Sequence, residues 1–165
     1  MRTKGAAKYS SCSPAIADPA NGFVEVLVAS DRIATEHPIG FGTQTVPPGY
    51  HVREHSHDCN EEVIHVLKGR GRAVIDGADV PMVPATTLFL GKGRRHMLIN
   101  EGNEDIIWMR MLVPNSLEDF FRAIGRTLSP GEPSPAPFPA AARCPGDRGA
   151  DRRCAAACRP AAAVT

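Results

Sequence analysis

A chain of 165 residues with 42% hydrophobic content can bury one modest core, and a formal net charge of +1 gives no electrostatic basis for binding nucleic acid or an anionic membrane. No run approaches the roughly twenty apolar residues that span a bilayer, and Met1 to Ser11 is polar with no apolar h-region, so a cytoplasmic protein working on a small molecule is expected. The five cysteines are odd in number and lack paired CxxC spacing, which argues against a disulfide framework or a zinc knuckle.

Residues 1–22 read as an N-terminal extension, 23–126 as the folded domain and 127–165 as a tail. Phe23–Val28 and Ile39–Val46 have strand character, and Pro47-Pro48-Gly49 stops the second of them. Strands then follow quickly at Glu62–Lys68, Arg72–Ile75, Val80–Val83, Thr87–Leu90, His96–Asn100 and Asp105–Val113. Asp76-Gly77 stands where a tight hairpin needs positive φ. Short strands set apart by Gly, Pro, Asn and Asp turns indicate an all-β antiparallel sandwich or barrel.

One C-terminal helix is expected after the last strand. Asn115 or Ser116 caps it, Glu118 completes a capping box, and Leu117, Phe120, Phe121 and Ile124 form an apolar stripe that ends at Gly125. That stripe packs on the barrel or forms a homodimer contact. Beyond Thr127, proline, alanine and arginine replace branched aliphatics, the composition of a disordered tail.

The chemistry concentrates at His55-Ser56-His57, followed by Glu62 and later His96. Side chains two apart on a strand face the same way, so His55 and His57 can share an ion. A hairpin through Asp58-Cys59-Asn60-Glu61 would return Glu62 beside them, and His96 opens a further strand. Three imidazoles and a carboxylate suit one divalent transition metal, Fe, Mn, Ni, Zn or Cu, better than calcium or magnesium. On a regular strand His51 and Arg53 would share that inward face, where Arg53 would clamp a substrate oxygen as a catalytic residue; a surface arginine is the plainer reading. Glu62 is both ligand and candidate catalytic base. His65 should face away from the metal, and Cys59 reads as a small, partly buried turn residue.

Gly49, His55, His57, Glu62 and Gly69 resemble the first motif of the cupin superfamily at every position. Gly93, His96 and Asn100 are similar to its second motif, with Ala85 where that motif has its first glycine and Gly91 where it has proline. The resemblance covers Phe23 to Arg126. It implies a jelly-roll β-barrel, a metal held by His55, His57, Glu62 and His96 with open positions for a small-molecule substrate, and frequent dimerisation. Similarity to quercetinase-like cupins implies a dioxygenase-type oxidoreductase. A non-redox lyase or isomerase, a polyketide-cyclase-like enzyme and a metal-stabilised small-ligand-binding cupin remain alternatives, because one fold hosts them all.

Overall fold

The computed structural model describes residues 15–18, 22–29, 33, 35–115, 121 and 125–129. They form two antiparallel sheets packed face to face. The larger has seven strands in the order β11-β1-β2-β3-β10-β5-β8 and the smaller four in the order β4-β9-β6-β7. In the larger sheet, β1 is Ala15–Asp18, β2 Gly22–Val28, β3 Gly40–Val46, β5 Glu61–Lys68, β8 Thr87–Leu90, β10 Ile106–Val113 and β11 Arg126–Thr127. The smaller contains β4 His51–His55, β6 Gly71–Ile75, β7 Ala78–Met82 and β9 His96–Ile99.

From β3 onward the chain passes repeatedly between the sheets, so residues near in sequence meet across the core. Alternation along the strands sets that core: Ile64, Val66, Leu88, Leu90, Ile106 and Trp108 point inward from the larger sheet to meet Ala73, Met82 and Leu98 from the smaller. A second cluster, Val24, Val26, Ala29, Leu112 and Phe121, fills the β2 side.

The all-β, two-sheet expectation holds, with two corrections. The sheets do not close into one hydrogen-bonded barrel; each keeps two edge strands, because corners such as Pro47-Pro48-Gly49 and Gly69-Arg70 interrupt the ladder where the chain changes sheet. The C-terminal helix is not borne out as an element: positions 116–120 and 122–124 of it lie outside the described residues, and among those described Phe121 alone is helical. Of that stretch, Phe121 is buried with Arg110 Cζ 4.7 Å from its ring centroid, and Gly125 N donates to Phe121 O at 2.9 Å. Pairing extends beyond both expected domain limits, since β1 pairs with β2 and with β11. The rest of the expected tail, from residue 130, lies outside the described residues.

Turns behave as their residues dictate. Asp76 (φ 50°) and Gly77 (φ 84°) both adopt the left-handed conformation that joins β6 to β7 in two residues. Ala85 has φ 70°, so the alanine keeps a backbone conformation that favours glycine.

Candidate metal centre

His55, His57, Glu62 and His96 come together between the sheets, each offering one ligand atom, all within 4.8 Å of one another. Two arrive by direct pairing: His55 ends β4 opposite His96, which opens β9. His57 follows on the connecting segment. Glu62 comes from the other sheet, so residues 56–60 form a crossover rather than the expected hairpin, and β5 points the Glu62 carboxylate inward at the three imidazoles.

A bulge in β4 aims His55. Val52 pairs with Leu98 and His55 with His96, so three steps on one strand oppose two on the other. The extra residue reverses the alternation. Val52 packs against the core upstream and His55 faces inward downstream, while His51 and Arg53 have exposed side chains. The regular strand on which Arg53 was expected to face the metal is therefore absent. Arg53 contributes its carbonyl instead, which receives His55 Nδ1 at 2.7 Å.

His96 uses the same device, with Nδ1 3.0 Å from the carbonyl of Arg94. Donation from each Nδ1–H to the carbonyl two residues earlier fixes the tautomer whose Nε2 carries the lone pair needed by a metal. These outer partners are backbone atoms, so no side-chain pattern could announce them. The loop before His96 is tied to the site by Gly93 N donating to His57 O at 2.9 Å. Cys59 is half-buried as expected, but it is disulfide-bonded, against the expectation drawn from the odd cysteine count. His65 faces away from the cluster, its Nδ1 2.8 Å from Thr87 Oγ1.

The donor set fits a transition metal ion. His57, Glu62 and His96 are buried, and Glu62 Oε2 lies 3.2 Å from His57 Nε2 and 3.4 Å from His96 Nε2. His96 Nε2 is shut away from water without an aligned hydrogen-bond partner, as is His57 Nδ1. A buried lone pair turned into a ring of donors is costly unless an electrophile sits there.

Electrostatics agree. Burial alone would raise the Glu62 carboxyl, but the His57 hydrogen bond and the neighbouring His96 imidazole outweigh it and hold the group well below the usual carboxylate range. His55 is pushed down to about 4, by burial first and then by His96. His96 is raised despite its burial, because Glu62 stabilises its charged form. Below its raised value, the metal-free cluster therefore stores a proton on His96 beside an ionised Glu62. Metal binding near pH 6.5 should release protons, and affinity should climb with pH as His96 loses its proton. Calorimetry in buffers of different ionisation enthalpy measures that release; a buffer-independent heat at pH 6.5 would show His96 already neutral.

Residues 42–113 match the cupin domain family. An oxalate-binding protein of Thermotoga maritima is 30% identical over 73 residues, 44% of this chain and 60% of that protein, so the chain spans less than two thirds of that relative. The structure of a predicted oxalate decarboxylase from Thermotoga maritima superimposes with a TM-score of 0.56 at 25% identity, covering 66% of this chain and 97% of that one. A cupin protein from Bacteroides fragilis gives a TM-score of 0.53 at 21% identity, covering 68% and 86%, and supports the fold alone. No helix among the described residues is long and apolar enough to cross a membrane. The matched segment, the two-sheet fold and the four converging side chains lead to one assignment: residues 42–113 form a cupin domain.

Proposed function

We propose that this cupin holds one divalent transition metal on His55, His57, Glu62 and His96 and uses it to bind a small chelating carboxylic acid of the oxalate class. The observation that carries the reading is the complete set of four ligand atoms within 4.8 Å. Four protein donors leave about two positions of a six-coordinate ion, enough for a bidentate acid. The names of the relatives, an oxalate-binding protein and a predicted oxalate decarboxylase, favour this ligand over the dioxygenase substrate implied by quercetinase-like cupins.

The residues around the ion fit an anion. With Glu62 ionised and the three histidines neutral, the loaded centre keeps a net charge of about +1, which attracts a carboxylate. His55 is the least buried of the four, so the approach lies on its side, past the exposed Arg53 and the 91–95 loop. In that loop Arg94 pairs with Asp76 and Arg95 with Glu54, which stiffens the rim beside His96. The bound metal supplies Lewis acidity toward the acid's oxygens. The chain supplies a dry floor, with Leu90 and Leu112 flanking Glu62 across the sheet.

Titration of oxalate into chain reconstituted separately with Mn, Fe, Ni, Zn or Cu tests the reading. Saturable binding is expected to at least one metal form and to neither the metal-free chain nor a His57→Ala variant. Formate and carbon dioxide appearing on incubation would make the protein a decarboxylase; binding without turnover would make it an oxalate-binding cupin. Failure of every metal form to bind oxalate removes the ligand assignment but leaves the metal site standing.

A further inference from the structure

We propose, resting on the chelating-acid reading above, that this centre selects an α-keto acid carrying a short uncharged alkyl group, and that Ile75 is the residue that selects it. In an antiparallel sheet, side chains directly opposite one another share a face and stand about 4.5–5.5 Å apart at Cβ. Glu62 lies opposite Leu90 on β8 and Leu112 on β10, and His96 lies opposite Ile75 on β6. Apart from His55 itself, the strand neighbours of these two cluster residues are therefore aliphatic. Leu90 and Leu112, 2% and 0% exposed, only close the floor. Ile75 differs. It packs on the core yet stays half-buried, so it keeps surface that a ligand beside His96 can cover. Beyond it the row ends at Ala78, an exposed methyl on the free edge of β7, so no larger side chain of that strand shuts the row.

Charge points the same way. A monoanionic α-keto acid neutralises a loaded centre of about +1, whereas an acid with a further, outlying carboxylate leaves a charge to be buried among aliphatic side chains. The row His55, His96, Ile75, Ala78 holds no lysine or arginine to receive it. Arg110 comes from the inward face of β10 but stacks on Phe121 in the second cluster, with Cζ 4.7 Å from the ring centroid. The charged side chain that follows Ile75 is an acid, Asp76, whose carboxylate accepts from Arg94 Nη1 at 2.6 Å and from Arg95 N at 3.0 Å. A second carboxylate at that end of the row adds to the charge of Asp76; a methyl or ethyl group covers Ile75. Oxalate has no atom left over for this side chain once both of its carboxylates chelate.

Calorimetric titration of oxalate, pyruvate, α-ketobutyrate and α-ketoglutarate into the full chain, loaded with each candidate metal in turn, tests this. The three keto acids chelate through the same two oxygens, so differences among them report the substituent. α-Ketobutyrate should bind at least about threefold tighter than pyruvate, close to the roughly fourfold that burying one methylene gives, and at least about tenfold tighter than α-ketoglutarate. In Ile75→Thr the gain over pyruvate should fall below about twofold. That ratio compares two acids on one loaded protein, so a change in metal content or stability cannot imitate the loss. Oxalate binding without the gain from pyruvate to α-ketobutyrate, or with α-ketoglutarate as the tightest keto acid, overturns the proposal and leaves the chelating-acid reading standing. A gain that survives in Ile75→Thr overturns the assignment to Ile75. If no metal form binds any of the four acids, the chelating-acid reading falls and the proposal falls with it.

Discussion

Replacing His57 or Glu62 with alanine should reduce metal affinity by at least about 100-fold, more than the 10- to 100-fold cost of losing an outer partner of a metal ligand. Both side chains are buried and face the same cluster, so neither vacancy can be refilled by a neighbouring side chain without moving a strand. Purified wild type should carry close to one transition metal ion per chain after dialysis against a weak chelator, and the alanine variants almost none. Glu62→Gln should fall between, because it keeps one oxygen donor and loses the charge. Arg53→Ala should retain its metal, since the atom that orients His55 is the Arg53 carbonyl, which alanine also provides. Elemental analysis giving equal metal in wild type and in both alanine variants would end the assignment. Arg53→Ala emptied of metal would mean that the guanidinium takes part.

The four residues of the cluster were legible because their chemistry is rare and their spacing tight; the path that unites them was not. A turn of polar residues between His57 and Glu62 reads the same whether it closes a hairpin within one sheet or carries the chain across to the other. The difference lies in which strands β5 pairs with, β10 and β8, far away in sequence. The β4 bulge is equally silent. Alternation predicts that Arg53 shares a face with His55, and one inserted residue reverses it without any glycine or proline to mark the place. Residues with local signatures fared better, as the Asp76-Gly77 hairpin shows.

Asn100→Ala is expected to cost the fold about 3–5 kcal/mol while leaving the metal site intact. The side chain is 1% exposed and makes three bonds: Nδ2 donates to Val46 O at 2.8 Å and to Glu104 O at 2.9 Å, and Oδ1 accepts from Gly102 N at 2.9 Å. Its backbone adds two more, accepting from Gly49 N at 3.1 Å and donating to Tyr50 O at 3.0 Å. Asn100 thus pins the corner where the chain leaves β3 in one sheet for β4 in the other. Alanine strands two carbonyls and one amide at roughly 1–3 kcal/mol each where water cannot reach, and partial hydration brings the sum down to the stated range. The melting temperature should drop by at least about 10 °C. Asn100→Asp distinguishes hydrogen bonding from shape: it keeps the acceptor for Gly102 but turns a carboxylate oxygen toward two carbonyls. That geometry disfavours the ionised form and raises the carboxyl's pKa, so the folded state takes up a proton that the unfolded state releases at neutral pH. The Asp variant should be least stable at neutral pH and recover as the pH falls through its folded value, which thermal melts between pH 4 and 8 would show. Metal content below the melting range should match wild type in both variants, because His96 lies at the other end of β9. An Asn100→Ala protein melting within about 3 °C of wild type would show that the corner is held by its backbone pairing alone.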